Sequence, residues 1–300
     1  MSVKKVVLPV FSVLFLILFF SLAGSGLGAA EIGPGNGALI IIGGAMKDPA
    51  ILERFMDLAG GPDAPIVVIP TAGGAPGYDS NWRGLRMFRE AGFRNVTLLH
   101  TYDREEAESA EFVRPLTEAR GVFFGGGRQW RLADAYLHTR THQELFALLE
   151  RGGVIAGSSA GATIQGSYLV RGDTKANTIM MGDHTEGMGF LKNTGIDQHL
   201  LKRNRHFDML EVIRAHPDLL GIGIDEDTAI VVQGDRFEVM GQGYVAVYDA
   251  TRHIPPDGAF YFLAPGDRFN LKTRTASRPA RTYRPLDRVE PVEKKPGKKK

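Results

Sequence analysis

The stretch at residues 152–166, GGVIAGSSAGATIQG, constrains the fold of this chain more than any other. Its apolar run at 154–156 is typical of a buried strand and leads directly into the pattern G-x-S-x-G. That pattern is typical of a nucleophile elbow, a tight turn that holds a serine between a strand and a helix. Glycines two residues before and after the serine leave room for its strained backbone. The pattern therefore predicts that Ser159 is a nucleophile, against the alternative of a glycine-rich turn without chemistry.

Two backbone amides beside this elbow are candidates for an oxyanion hole. The helix that follows Ser159 would direct the N–H of Ala160 at a developing negative charge. An earlier apolar strand, at 122–124, ends in three glycines, and the amide of Gly127 is the expected second donor. A nucleotide site is disfavoured, because neither glycine-rich strand end completes G-x-G-x-x-G and no P-loop pattern occurs.

Apolar strands alternate with helices along the first half of the chain. Strands are predicted at 38–42, 66–69, 96–99, 122–124 and 154–156, and helices at 48–59, 80–92 and 129–150. Strands that are apolar throughout and alternate with helices indicate a mostly parallel sheet with helices on both faces. The predicted fold is therefore a three-layer α/β domain. Its site is expected at the carboxyl ends of the strands, where the glycine-rich turns and the elbow fall.

A second cluster of polar residues, at 195–205, supplies the candidate base for the serine. A serine hydroxyl needs a nearby imidazole to accept its proton, and the chain has seven other histidines besides His199. His199 is preferred because it clusters with Asp197, Gln198, Arg203 and Arg205. The two arginines are expected to fix a substrate carboxylate by paired hydrogen bonds, and the alternative is a solvated basic face.

Composition excludes several classes of function. The 300 residues include no cysteine, so disulfides, thiol catalysis and cysteine metal sites are excluded. The formal net charge of +2 gives no reason to expect a nucleic acid partner. Apolar and charged fractions of 43% and 23% are those of an ordinary globular protein with a sizeable core.

The two ends of the chain differ from its middle. Two lysines, a long apolar run and small residues up to Ala30 have the layout of a secretory signal at 1–30, and the alternative is an uncleaved membrane anchor. A folded domain is expected at 31–272. Residues 273–300 lose apolar periodicity and end in a lysine-rich run, which predicts a disordered basic tail.

Four motifs occur together in an order that resembles the cyanophycinase branch of the serine peptidase family that also contains dipeptidase E. They are IIGGA at 41–45, FFGGGRQWRL at 123–132, GSSAGA at 157–162 and IDQHLLKRNR at 196–205, and GIGIDEDTA at 221–229 is a similar fifth. The resemblance implies a fold like that of the class I glutamine amidotransferases. It also implies a Ser–His pair assisted by an acid and a preference for β-aspartyl peptides, among them cyanophycin.

The resemblance assigns roles to individual residues of this chain. It implies that Ser159 and His199 react, and that substrate is held by Gln129, Asp197, Gln198, Arg203 and Arg205. Two positions depart from the family pattern. The third of its spaced arginines is Asp208 here, and the acid expected around 176–177 is absent. Asp173 is the nearest carboxylate and is our preferred orienting acid for His199, with Asp197 as the alternative.

The function expected from the sequence is that of an exported serine peptidase, cyanophycinase-like, that needs no metal or organic cofactor. Its expected partner is a peptide substrate bearing aspartyl bonds, and a membrane only if the amino-terminal segment stays uncleaved. One alternative is a dipeptidase for short aspartyl or isoaspartyl peptides. Another is a degenerate member that binds peptide without turnover. The sequence leaves the oligomeric state, monomer or homodimer, open.

The amino-terminal segment gives the first testable prediction. Because residues 1–30 have the layout of a cleaved signal, the mature protein should begin near Glu31 and be recovered outside the cytoplasm. Amino-terminal sequencing of the natively expressed protein measures this. Recovery of a chain that still begins at Met1, in a membrane fraction, would identify an anchor instead.

Overall fold

The structure, a computed structural model, describes residues 32–254 and 258–280. Its strands, in chain order, are β1 Ala38–Ile42, β2 Ile66–Ile69, β3 Val96–Leu98, β4 Gly121–Phe124, β5 Val154–Ser158, β6 Gly166–Tyr168, β7 Leu191–Gln198, β8 Leu220–Ile224, β9 Thr228–Gln233, β10 Arg236–Gly241, β11 Val245–Asp249, β12 Tyr261–Leu263, β13 Arg268–Asn270 and β14 Thr275–Ser277. Its α-helices are α1 Pro49–Ala59, α2 Arg86–Glu90, α3 Arg104–Glu108, α4 Ala110–Glu118, α5 Gln129–Tyr136, α6 Arg140–Glu150, α7 Ala160–Thr163 and α8 Met209–Ala215.

The larger sheet contains the predicted parallel strands. Its order is β14-β13-β10-β9-β1-β5-β4-β2-β3, in which β1, β5, β4, β2 and β3 are mutually parallel and the remaining strands are antiparallel. Every residue of β1, β2 and β4 is buried, as expected for strands covered on both faces. The α/β fold and the nucleophile elbow predicted from the sequence are confirmed.

Helices cover both faces of this sheet. On one face, Ile51 and Phe55 of α1 and Phe88 of α2 pack on side chains such as Ile40 and Phe123 of the strands. On the other face, apolar side chains of α4, α5, α6 and α7 pack on the alternate strand residues. The amphipathic pattern of each helix is therefore satisfied by one face of the sheet.

A second sheet, which the sequence did not predict, delivers the histidine segment. Its order is β12-β11-β8-β7-β6, with β6, β7 and β8 parallel and β11 and β12 antiparallel. Strand β7 ends one residue before His199. Strand β8 lies in this sheet whereas β9 pairs with β1 in the larger one, so residues 225–227 form a turn between the two sheets.

Three predicted boundaries were wrong. The helix expected at 80–92 is reduced to a 3₁₀ turn at Arg83–Leu85 and the short α2. The helix expected at 129–150 is interrupted at 137–139, where His138 has a positive φ of 61°. The tail expected from residue 273 begins with β14, whose three exposed residues pair with β13 and carry no apolar signal.

The predicted signal at 1–30 and residues 281–300 of the predicted tail lie outside the described residues. Within 32–254 and 258–280, no helix is both long and apolar enough to cross a membrane.

A buried ion pair joins the loop after β6 to β7. Arg171, only 1% exposed, donates from Nε to Oδ1 of Asp197 at 2.7 Å and from Nη2 to Oδ2 at 2.9 Å. The same Nη2 donates to Asp208 at 2.6 Å. Asp197 is fully buried, and the Arg171 guanidinium is the cation in direct contact with its carboxylate, with Nη1 of Arg205 farther away at 3.9 Å.

Removal of this cation should destabilise the fold. Arg171→Met would leave the buried carboxylate of Asp197 with only Arg205, at 3.9 Å, and removal of one partner of a buried pair typically costs about 3–5 kcal/mol. Arg268→Met is the matched control, because Arg268 pairs with Glu238 at the surface, where such pairs contribute about 0–1 kcal/mol. Urea unfolding of both variants measures the difference. Equal losses of unfolding free energy in the two variants would contradict the assigned role of Arg171.

Candidate active site

The elbow places Ser159 on a strained backbone between β5 and α7. Its φ of 57° and ψ of −112° are unusual for a residue other than glycine. A Cβ on Gly157 would lie 2.1 Å from the carbonyl oxygen of Gly161, and a Cβ on Gly161 would lie 2.3 Å from that of Phe124. The two flanking glycines are therefore required by close backbone approach on both sides of the serine.

Ser159 and His199, which are 40 residues apart in the chain, meet at the carboxyl end of β1. The serine Oγ lies 2.9 Å from Nε2 of the histidine. The backbone N–H of His199 donates to the carbonyl of Gly43 at 2.8 Å. A Cβ on Gly44 would lie 2.3 Å from Cε1 of the imidazole. Any other residue at position 44 would therefore displace the ring of His199.

Glu226 orients the imidazole from its other side. Its Oε1 lies 2.7 Å from Nδ1 of His199, and the glutamate belongs to the turn between β8 and β9. The two acids beside it serve the backbone. Asp225 accepts from the amides of residues 201 and 202, and Asp227 accepts from those of residues 47 and 48. The triplet DED thus fixes the loops around the histidine and supplies its carboxylate.

The prediction that Asp173 orients His199 is wrong. Its Oδ1 accepts from the backbone amides of Lys175 and Ala176, at 2.7 and 3.0 Å. This carboxylate closes a local turn, which is a common use of an aspartate in a loop. Sequence proximity to the elbow made Asp173 the nearest candidate, whereas the acid at the histidine comes from a turn 67 residues beyond the serine in the sequence numbering.

The predicted oxyanion donors lie in the segments that flank Ser159. Ala160 is the first residue of α7, and the N–H groups of a first helical turn have no acceptor within the helix. Gly126 and Gly127 follow β4, and a Cβ on Gly126 would lie 3.8 Å from the serine Oγ. Among the described residues, neither of these two glycines donates its amide to a protein acceptor. Ala160 and Gly127 therefore stay our predicted donors.

Several predicted substrate residues are instead part of a buried network. Gln129 is 1% exposed, and its Nε2 donates to the carbonyls of residues 170 and 171 at 2.8 Å each. Gln198 accepts at Oε1 from Arg205 at 3.1 Å. The Oε1 atom of Gln129 is buried and has no partner within the described residues. These side chains brace the segments before and after the reacting residues.

Asp197 does not lie open to the site, contrary to the expectation that it helps to hold substrate. Both of its carboxylate oxygens accept from Arg171, and Oδ1 also accepts from the amide of Gln198. It does not contact Nδ1 of His199, which Glu226 occupies. The sequence analysis assigned no role to Arg171.

Two further properties of the site are the exposure of Arg203 and the charge state of His199. Arg203 is exposed, and within the described residues it makes no ion pair or side-chain hydrogen bond. Burial lowers the pKa of His199; the bond to Glu226 opposes this shift, and the charges of Arg203 and Arg205 add to it. The imidazole is therefore neutral, and able to accept a proton, at and somewhat below neutral pH.

The assembled groups are those of nucleophilic acyl transfer. A hydroxyl, an imidazole and a carboxylate form one hydrogen-bonded chain, with backbone amides beside the hydroxyl. In the described part of the chain, no cluster of histidine and acidic side chains has a geometry that would hold a metal ion.

Comparison with known sequences places these groups in context. A family model described as peptidase family S51 matches residues 39–240. A cyanophycinase of Nostoc sp. is 35% identical over 260 residues, which covers 79% of this chain and 87% of that protein. The matched range includes the elbow, the histidine segment and the β8–β9 turn.

Comparison with solved structures gives a similar result. The crystal structure of a peptidase from an acI-B1 Actinobacterium superposes with a TM-score of 0.59 at 26% identity, covering 78% of this chain and 97% of that one. A protein from Listeria monocytogenes described as a putative peptidase E superposes with a TM-score of 0.51 at 15% identity, covering 69% and 99%. At that identity the second likeness concerns the fold alone.

The Glu226 contact predicts a defined kinetic change. Glu226→Gln should lower kcat about a thousandfold or more, because an amide does not hold the correct tautomer or stabilise the imidazolium. Loss of the carboxylate also removes an influence that raises the pKa of His199, so the acid limb of kcat/KM should move to lower pH. Steady-state pH profiles measure both effects.

Glu186→Gln is the matched control, because Glu186 forms a Glu–His pair with His138 at the surface. We expect it to keep the wild-type profile. If the two variants lost activity equally, the contact between Glu226 and His199 would not be the cause.

Proposed function

The chain belongs to peptidase family S51 and is a serine-type peptidase, and from that premise we propose that it hydrolyses aspartyl peptide bonds through an acyl-enzyme. The single observation that carries this proposal is the continuous contact from Ser159 through His199 to Glu226, with distances of 2.9 and 2.7 Å. A chain of this kind activates a hydroxyl for attack on a carbonyl.

The proposed mechanism has two stages, formation of an acyl-enzyme and its hydrolysis. Ser159 Oγ attacks the carbonyl carbon while His199 Nε2 takes its proton, and Glu226 stabilises the resulting imidazolium. The amides of Ala160 and Gly127 receive the oxyanion. Collapse of the tetrahedral intermediate breaks the C–N bond, and the imidazolium returns the proton to the leaving amine. Water, deprotonated by the same imidazole, then hydrolyses the ester.

The aspartyl preference is supported by the relatives and by one cation of this chain. The similar Nostoc protein is a cyanophycinase, an activity that the sequence motifs also suggest. Arg203 is the exposed arginine close enough to influence His199 electrostatically. A guanidinium in that position suits the free carboxylate of the aspartyl residue in a short aspartyl peptide. In cyanophycin that carboxyl group carries arginine, so cyanophycin is proposed as the first substrate on the similarity to the Nostoc protein.

A second candidate is a dipeptidase for short aspartyl or isoaspartyl peptides, and one observation favours it. A substrate arginine needs a carboxylate, and Asp197, which the family resemblance assigns to the substrate pocket, is already paired with Arg171. A third possibility, a degenerate protein that binds without turnover, is disfavoured because the Ser–His–Glu contacts are complete. We keep export as part of the proposal, on the sequence of residues 1–30 alone.

Activity-based labelling combined with a substrate panel tests the proposal. The mature protein should react with a fluorophosphonate at Ser159 and hydrolyse cyanophycin or at least one aspartyl dipeptide. Ser159→Ala should lower turnover by on the order of a millionfold, as removal of such a nucleophile does. Ser158→Ala, at the neighbouring serine, is the control and should keep labelling.

Two outcomes would contradict the proposal. Absence of labelling in the wild-type protein would identify a binding protein rather than a hydrolase. Loss of labelling in Ser158→Ala with retention in Ser159→Ala would show that the nucleophile is the other serine of the elbow.

A further inference from the structure

An apolar cavity lies beside the elbow, on the face of the larger sheet that carries α1 and α2. We call it the Trp82 pocket. It has a volume of about 260 Å³ and is lined by Met46, Val68, Trp82, Gly84, Met87, Phe88, Phe123, Gly125, Gly126 and Ser158. Val68, Phe123 and Ser158 come from the carboxyl ends of β2, β4 and β5, where a parallel sheet places its ligands.

The pocket adjoins the reacting serine. Ser158, in its wall, is the residue before the nucleophile. Gly126, also in its wall, is so close to Ser159 that an added Cβ would lie 3.3 Å from the serine Cβ and 3.8 Å from its Oγ. A group in this cavity would therefore sit within one residue of the scissile bond. None of the chemistry derived above uses this space.

The lining selects the kind of group that fits. No lining residue is charged, and the side chains that surround the space are two methionines, three aromatic rings, a valine and one serine. A charged side chain would lose its hydration here without gaining an ionic partner, whereas an apolar side chain would be buried favourably. The volume lies below the roughly 300–1,000 Å³ of sites for whole small molecules, so it suits one side chain.

The acyl part and the leaving part of the substrate need different surroundings in the site. This inference rests on the second candidate of the proposed function, the dipeptidase, for which the acyl part is an aspartyl residue with a free carboxylate. Its recognition requires a cation such as Arg203, and the Trp82 pocket offers none. The other part of the substrate is the residue whose amine leaves. Its side chain can be apolar, so it is the group that the apolar Trp82 pocket can accommodate.

We propose that the Trp82 pocket binds the side chain of the leaving residue and selects large apolar residues there, leucine or phenylalanine above glycine or arginine. The substrate class is then an aspartyl or isoaspartyl peptide with an apolar residue after the scissile bond. The aromatic wall is itself well supported, because the ring of Trp82 packs edge-on against Tyr78 with centroids 5.2 Å apart.

A dipeptide series tests this preference. The series is Asp-X in both α- and β-linked forms, with X as glycine, leucine, phenylalanine, arginine or glutamate. Every member of one linkage gives the same acyl-enzyme, so differences in kcat/KM report binding and acylation of X alone. We expect leucine and phenylalanine to exceed glycine by at least about tenfold, the effect of small apolar differences in such pockets. Arginine and glutamate should not exceed glycine.

Two pocket variants sharpen the test. Trp82→Ala should lower the leucine-to-glycine ratio of kcat/KM by about tenfold, because it removes one wall of the cavity. Met87→Glu, on the partly exposed α2, should raise the arginine-to-leucine ratio above that of the wild type, since a carboxylate then faces the cavity. Phe146→Ala is the control: Phe146 is an aromatic residue on α6, 36% exposed and outside the pocket, and the variant should keep both ratios.

The outcomes separate the pocket from the proposed function. If the wild-type protein hydrolyses no member of the series and does not react with fluorophosphonate, both fail. If it reacts with fluorophosphonate but hydrolyses no member of the series, only the pocket assignment fails. If it hydrolyses the series with equal kcat/KM for glycine, leucine and phenylalanine, or prefers arginine, only the pocket assignment is overturned. Unchanged ratios in both folded pocket variants would overturn it as well, with folding checked by circular dichroism.

Discussion

The site depends on the contact of two sheets at the carboxyl end of β1. The carbonyl of Gly43, directly after β1, accepts from the backbone N–H of His199, which follows β7 of the second sheet. Ser159 is tied to the same strand, because its N–H donates to the carbonyl of Ile42. Two consecutive carbonyls, one at the last residue of β1 and one directly after it, therefore set the separation of nucleophile and base. Side-chain chemistry is added to a geometry that the backbone has already fixed.

The turn between β8 and β9 adds the acid to this arrangement through three carboxylates with different tasks. Asp225 holds the loop after His199, Asp227 holds the loop after Gly44, and Glu226 meets the imidazole. The two neighbours act on backbone amides, so they fix the position of Glu226 without competing for Nδ1. The Trp82 pocket adjoins the elbow through Ser158 and Gly126, and its lining carries no charge. A polar reaction site and an apolar cavity therefore lie next to the same serine.

The sequence predicted the parts of the fold that local patterns encode. Continuous apolar runs identified the parallel strands, and the elbow and the histidine segment were located from their motifs. Long-range pairings left weaker signals. Glu226 was within the recognised motif GIGIDEDTA, yet an acidic triplet after a strand does not show which carboxylate reaches a histidine in another sheet. Arg171 resembled an ordinary loop residue, and only the fold reveals that it neutralises Asp197. The antiparallel β14 has three exposed residues and therefore no hydrophobic period to detect.

The strand switch between β8 and β9 has a consequence for how this protein could be divided or rearranged. Ser159 follows a strand of one sheet, His199 follows a strand of the other, and Glu226 lies on the chain that crosses between them. Neither sheet alone carries a complete set of reacting groups. Hydrolysis therefore requires both sheets in their correct relative position. Activity is a more sensitive measure of that alignment than secondary-structure content is. A fragment that ended before β7 would contain Ser159 but lack both the base and the acid of the site.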